Sequence, residues 1–352
     1  MLACALSLSP LAASYVQAQT TVVASDDQFV REKDKDTHNK WRKGKSPFPA
    51  RPRDMWQIGL GGGSFIVGAD VKPQFGWGAS LHARKSLGYT MSLRLEGLYA
   101  NARGLSYSPT TLRGFPQVSP FTLTNERGDI TNADLYDDND VFYSNYRSEV
   151  MAFSAQALIN LNNIKFHKPA NKWSLNWIIG VGAAAYHTRY DALDGNGNAY
   201  DFRTVGDGLD MTKLADRRTL RDNVKGILDD EYETPAQNNG RNAVTFGSDE
   251  KKYTLLPYLN TGLSLEFLVT NRLSIAVEHQ VFFNADDYID GKARSNSGSS
   301  TSGIDLPHYT SLKLGFHLGK KTKRTPPLWF INPLNDPDRK STRLNSSHAN
   351  IS

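Results

Sequence analysis

The chain has 352 residues, a formal net charge of +5 and 39% hydrophobic residues, with a mean hydropathy of −0.49. No run of about 18 apolar residues occurs, which excludes a helical membrane protein. The single cysteine, Cys4, excludes a disulfide framework within the chain.

Residues 1–18 are mostly small and apolar and end in Val16-Gln17-Ala18, which reads as a signal peptide cleaved before Gln19. No Lys or Arg precedes the apolar run, so the basic start is missing and the true start is expected upstream. Residues 19–54 then hold nine basic and six acidic side chains, closed by Pro47, Pro49 and Pro52. This composition predicts a flexible or extended polar arm. Its net +3, with the +4 of Lys320, Lys321, Lys323 and Arg324, exceeds the charge of the whole chain. Positive charge therefore flanks the central region, where anionic lipid headgroups would attract it. With no recognised nucleic-acid-binding module, no nucleic-acid partner is expected.

Between residues 55 and 318, eight segments alternate apolar and polar residues, as in Met91-Ser92-Leu93-Arg94-Leu95-Glu96 and Leu273-Ser274-Ile275-Ala276-Val277-Glu278. A period of two gives each strand one oily and one polar face. The predicted strands run over 55–67, 75–85, 89–102, 147–160, 173–187, 253–267, 273–283 and 307–318. Each is long enough to cross a bilayer as a tilted strand of about 9 to 11 residues. Short turns alternate with long polar loops at 103–146, 188–252 and 284–305. The fold class this predicts is all-β: an eight-stranded antiparallel transmembrane up-and-down β-barrel over 55–319, with long extracellular loops and both termini in the periplasm. Aromatic residues near strand ends, among them Trp56, Trp77, Tyr99, Trp173 and Phe267, would form the interfacial girdles.

The alternation also assigns faces. Lipid would meet Met91, Leu93, Leu95, Met151, Phe153, Ile159, Leu175, Trp177, Ile179, Leu263, Leu265, Ile275, Val277, Leu312, Leu314 and Phe316. The lumen would hold His82, Arg84, Arg94, Glu96, Asn176, Asn260, Glu266, Glu278, Gln280, Lys313 and His317. Eight strands leave an interior that side chains just fill. Buried charges need partners, so Arg84, Arg94 and Lys313 are expected to form an ion-pair lattice with Glu96, Glu266 and Glu278.

The run from Trp77 to Tyr89, followed by Ser92-Leu93-Arg94-Leu95-Glu96-Gly97, resembles the second and third strands of OmpA-like outer-membrane proteins of the long-loop type. The segment Pro327-Leu328-Trp329-Phe330-Ile331-Asn332-Pro333-Leu334 resembles the piece that leaves the barrel in that family. The resemblance covers roughly residues 55–334. It implies a periplasmic exit linker at 320–338 and, beyond it, a domain that grips peptidoglycan. That domain is missing from this sequence. Residues 339–352 look like translated sequencing-adapter DNA, so the authentic gene is expected to continue.

Motifs for chemistry are few. Gly59-Leu60-Gly61-Gly62-Gly63-Ser64 lacks the third glycine and the βαβ setting of a dinucleotide loop, and reads as lumenal glycines relieving crowding. Residues 191–198 suggest a calcium loop, but Ala199 and Val205 stand where glycine and glutamate belong, so a solvated turn is expected. A short helix is expected within 207–221. No catalytic, cofactor-binding or metal residue is assigned. Three classes of function stay open: an envelope-anchoring barrel, a small porin or surface-binding barrel using its loops, and a membrane enzyme with a rim site.

Overall fold

The computed structural model describes residues 32, 35–43, 45, 55–111, 141–162, 172–236, 243–246, 251–291, 304–318 and 327–330. The expected signal peptide at 1–18, the tail at 339–352 and most of the polar arm at 19–54 lie outside these. The described part of the arm is not extended: Lys35–Arg42 forms a helix, α1, with Lys40 and Asp36 paired at 2.7 Å one turn apart. Both side chains are exposed, so this pair adds only a few tenths of a kcal/mol, roughly.

Ten strands follow among the described residues: β1 (Trp56–Gly68), β2 (Pro73–Ser86), β3 (Met91–Thr111), β4 (Val141–Asn160), β5 (Trp173–Tyr190), β6 (Thr234–Pro235), β7 (Ala243–Phe246), β8 (Lys251–Thr270), β9 (Leu273–Phe283) and β10 (Leu306–Leu318). Eight of them, β1–β5 and β8–β10, pair antiparallel with their neighbours, and β5 pairs with β8 from Trp173↔Phe267 to Tyr186↔Thr254. The ladder between β1 and β10, from Trp56↔Leu318 to Gly68↔Leu306, closes the barrel. Closure leaves none of these eight strands with an open edge, a requirement for a sheet surrounded by lipid. The short β6 and β7 add to β5 and β8 above the barrel.

Burial follows the alternation. On β2 the pattern is outward Trp77, Leu81 and Ala83 against inward Ser80, His82 and Arg84. Every residue expected to face lipid is exposed or half-buried, and His82, Arg84, Arg94, Glu96, Asn176, Asn260, Glu266, Glu278, Gln280 and Lys313 are buried. Exposed leucines on the outside of a closed barrel have a cost in water and a gain in lipid, so this surface is a membrane-facing belt. Trp56, Trp173 and Phe267 rim it at the turn end, where Lys85 Nζ stands 5.2 Å over the Trp56 ring. Trp77 and Tyr99, with ring centroids 5.7 Å apart, rim it at the loop end.

The turn end is tightly made. Leu87 and Gly88 both donate N–H to Met91 O, and the Ser86 hydroxyl donates to Gly88 O at 2.7 Å. Thr270 Oγ1 accepts from the Arg272 and Leu273 N–H groups between β8 and β9. The loop end differs from the expectation in two places. Strands β3 and β4 run on to Thr111 and from Val141, so the two ends of the expected loop over 103–146 are a paired extension. A break in register between Leu105 and Pro109 accommodates the proline, which has no N–H for a ladder. The loop after β5 is a folded cap. It contains a helix, α2 (Leu214–Ile227), a few residues later than expected, because turns at Gly206, Gly208 and Asp210 delay its start. Leu220 and Val224, one turn apart, bury the inner face of α2.

Candidate functional site

The lumen has two zones. Toward the loop end it is oily: Phe65 packs on Phe282 and Tyr309, with centroids 6.2 and 6.4 Å away, and Tyr258 meets Phe282 edge-on at 5.2 Å. This core continues into the cap through Tyr146, Phe142, Phe202 and Leu220. A cavity of about 20 Å³ lies among Phe65, Leu98, Tyr186, Tyr258 and Phe282. That is room for about one water, far below the several hundred Å³ of a small-molecule site.

Toward the turn end the lumen is charged. The structure brings the six expected residues together in two groups rather than one lattice. In the first, Arg94 donates Nη1 and Nη2 to the two oxygens of Glu278, both at 2.8 Å, and pairs with Glu96 Oε2 at 3.0 Å. Lys313 Nζ reaches Glu278 Oε1 at 2.7 Å and also donates to Glu96. Two cations and two carboxylates balance. An amide chain surrounds them: Arg94 Nε donates to Gln156 Oε1 at 2.6 Å, Gln156 Nε2 to Gln280 Oε1 at 3.1 Å, and Gln280 Nε2 to Glu278 at 2.6 Å and Glu96 at 3.1 Å. Asn260 Nδ2 also donates to Gln280 Oε1, at 2.7 Å. Gly61 makes this possible, since a Cβ there would stand 3.0 Å from Lys313 Cγ and 2.5 Å from Ser80 Oγ.

The second group is nearer the turn end. Arg84 Nη1 pairs with Glu266 Oε2 at 3.0 Å, and Nη2 donates to Asn176 Oδ1 at 3.3 Å. Gln57 Nε2 donates to Glu266 Oε1 at 2.8 Å and to Ser274 Oγ at 3.0 Å. Arg84 and Arg94 are direct cross-strand partners, a destabilising juxtaposition unless each has its own counter-ion. The division into two neutral groups supplies that.

A residue with no assigned role in the sequence completes this group. Leu328–Phe330 forms a single 3-10 turn, and its three side chains are buried. The Trp329 indole N–H donates to Glu266 Oε2 at 2.9 Å, and the Arg84 guanidinium lies 3.8 Å over its ring. Asn160 Nδ2 donates to Trp329 O at 2.6 Å, and the His317 ring is 5.5 Å away. The segment expected to leave the barrel thus first turns into its mouth as a stopper. The signal was present in the sequence as Pro327-Leu328-Trp329-Phe330, an apolar cluster in an otherwise polar stretch.

Outside the lumen, the turn at 194–198 is held by Asp194 Oδ1, which accepts the N–H groups of Asn196 and Asn198 at 2.9 and 2.8 Å. Asp191, Asp229 and Glu233 place carboxylate oxygens within 4.8 Å of one another. Asp191 accepts from Tyr200 Oη and the Asp230 N–H at 2.8 Å each, and Glu233 Oε1 accepts the Ala192 and Leu193 N–H groups at 3.1 and 2.8 Å. These bonds make the trio a clamp on the cap loop. Burial of Asp191 outweighs them and pushes its carboxyl up to about 6.

No protein-family model matches the chain, and no curated protein matches it. Several solved structures are similar to it, and they are outer-membrane barrels of the OmpA-like kind. Neisserial surface protein A is 7% identical with a TM-score of 0.32, the match covering 75% of this chain and 96% of that one. The attachment invasion locus protein of Yersinia pestis is 11% identical with a TM-score of 0.31, over 76% and 99%. A major outer membrane protein from Thermus thermophilus is also 11% identical, with a TM-score of 0.35 over 76% and 100%. The barrel of this chain rests on its own strand pairing, which stands without them.

Proposed function

We propose that this protein is a closed outer-membrane barrel that serves as a structural anchor of the envelope, and that in full length it tethers the outer membrane to peptidoglycan. The observation that carries the reading is the filled lumen. The Arg94–Glu278–Lys313–Glu96 group crosses it, Trp329 stoppers the turn end, and packed aromatics close the loop end. A barrel built as a pore keeps a hydrated path; this one spends its interior on self-contact. The outward belt anchors it, with outer-membrane lipid and lipopolysaccharide as its surroundings. Both termini lie on the periplasmic side in this reading, since the short turns share their end of the barrel. The tether is supported by the resemblance of residues 327–334 to a family exit segment, and the peptidoglycan grip belongs to a further domain. The reading assigns no catalytic role, no cofactor and no nucleic-acid partner.

Conductance across planar bilayers tests the closed barrel. Purified protein, folded and inserted, is expected to give no steady conductance and no swelling of liposomes in small sugars. Stable open channels would transfer the reading to the porin class. A second role is favoured by one feature: the cap over 188–236 has its own buried core, including Phe202, Leu220 and Val224. A loop with a core of its own presents a fixed surface, as a surface-binding or adhesion barrel requires.

A further inference from the structure

The lipid-facing belt has a polar interruption. Among the described residues that face outward between the aromatic rims, all are apolar or glycine except Ser64 on β1, His308 and Thr310 on β10, His279 on β9 and Thr261 on β8. These five form one patch. Ser64 pairs with Thr310 and Thr310 with His279, while Val281 pairs with both His308 and Thr261. The His279 and His308 rings stack with centroids 5.6 Å apart, and His279 Nδ1 is 2.8 Å from Thr310 Oγ1. Thr261 is satisfied within the wall: its hydroxyl donates to Ile178 O and accepts the Trp177 indole N–H, both at 3.0 Å. Among the described residues, the second nitrogen of His279, both nitrogens of His308 and the Ser64 hydroxyl have no hydrogen-bond partner.

The patch reaches well inside the belt. The register row that leaves Trp77 at the loop-end rim passes through Ser64, Thr310, His279 and Leu263 to Trp177. Trp177 lies only four positions from Trp173 at the turn-end rim, so the row descends across the belt because the strands are tilted. His279 stands three of the five steps down, at a depth where acyl chains offer no donor or acceptor. Gly62, on the same face and two residues before Ser64, adds a notch. A Cβ at Gly61 or Gly63 would run into Ser80, Lys313 or Thr310, whereas at Gly62 it would meet only Gly78 O, at 4.0 Å. Packing within the barrel gives Gly61 and Gly63 a reason to be glycine and gives Gly62 none.

We propose that this patch is the contact surface for a second copy of the chain, related by a two-fold axis within the membrane. An uncharged imidazole carries one donor and one acceptor, so the patch turned by a two-fold axis presents acceptors to its own donors. Between membrane segments, such side chains act as polar glue where small residues let backbones approach, and Gly62 supplies that approach. The inference rests on the membrane reading of the barrel.

The test uses the full chain refolded into phosphatidylcholine vesicles, with donor or acceptor dyes on Cys4 of separate copies. Resistance to unfolding by sodium dodecyl sulfate on gels first reports insertion. Failure of the wild type to insert would overturn the membrane reading and this inference with it, whereas insertion as a monomer overturns the inference alone. Energy transfer between copies, followed as lipid dilutes the protein, then gives the association. H279L/H308L and G62V are each expected to weaken it about ten-fold, the equivalent of a few membrane hydrogen bonds. A155V, at an exposed outward position on the far wall, should leave association unchanged. H279L/H308L should resist urea at least as well as wild type, since leucine suits lipid better than imidazole; a merely structural role would lower that resistance. Association equal to wild type in H279L/H308L would overturn the surface, as would its loss on adding EDTA, which would mark a metal bridge in place of direct bonds. Should H279L/H308L not fold, the comparison of G62V with A155V decides.

Discussion

Replacing Glu278 with Gln should be among the most damaging single changes in the barrel wall. Glu278 is buried and receives two bonds of 2.8 Å from Arg94 and one of 2.7 Å from Lys313. The amide keeps the shape but leaves Arg94 and Lys313 facing the lone carboxylate of Glu96, a buried group of net +1. Breaking a buried pair in this way costs about 3–5 kcal/mol, because an uncompensated charge stays in the interior. Adding Lys313→Met restores neutrality, and the long apolar stem of Met occupies much of the same space. The double variant should therefore cost at least about 2 kcal/mol less than the sum of the two singles. Urea unfolding in phospholipid vesicles, followed by tryptophan fluorescence, measures all four corners of the cycle. Additive costs, or E278Q within about 1 kcal/mol of wild type, would refute the reasoning that a neutral four-charge group holds the lumen.

Further outcomes follow from other contacts. Leu93→Arg and Ile275→Arg place charge in the lipid belt and should each cost about 2–4 kcal/mol near the bilayer midplane, while Ser92→Ala beside them costs far less; equal tolerance in the same urea titration would overturn the face assignment. Trp329→Ala removes a buried ring and a hydrogen bond to Glu266, so it should cost about 3–5 kcal/mol, and a neutral result would mean the stopper is not seated. Protease added to intact cells should spare residues 19–54, and cleavage there with the cap intact would invert the proposed orientation. Asp191 has a folded pKa near 6, above its unfolded value of about 3.8. The folded cap holds the proton more tightly, so its stability is fullest at pH 4 and falls as pH rises through 6. Hydrogen exchange at residues 191–200 across that window should show the loss, and Asp191→Asn should abolish the pH dependence.

Most of the barrel could be read from the chain because lipid on one side and a narrow lumen on the other force a strict two-residue period. Arg94 between Leu93 and Leu95 has only one face on which to be charged. The residues above the membrane obey no such rule. Leu105 shares the outward parity of Tyr99, yet it is buried, in a core cluster that also holds Phe202, Leu220 and Val224 of the cap, about a hundred positions away in the chain. The division of the charges was equally hidden. Spacing places Arg84 and Arg94 on one wall, but which carboxylate each takes depends on side chains from across the barrel: Glu266 on β8 and Glu278 on β9. Trp329 was missed because its role depends on the chain doubling back after β10, and an apolar trio in a polar stretch does not say what it covers.

The placement of the two lumen zones bears on how the barrel carries load. If a periplasmic segment pulls on the chain, force enters after β10, next to the Trp329 stopper. There the indole bond to Glu266, the Arg84 stack and the Asn160 bond to the Trp329 carbonyl cross-link β2, β4 and β8 to the exit segment. A pull on one strand end is thereby shared by several walls of the barrel. Separating Trp329 from this group exposes a buried charge pair as well as an aromatic ring, so the contact resists removal more than packing alone would. Single-molecule pulling from the C-terminal side should show an early force peak of its own before any strand leaves the barrel. Trp329→Ala should erase that peak while leaving the later strand-extraction peaks in place. A trace with no separate first event in the wild-type protein would refute this load-sharing role, whatever the stopper contributes to sealing the lumen.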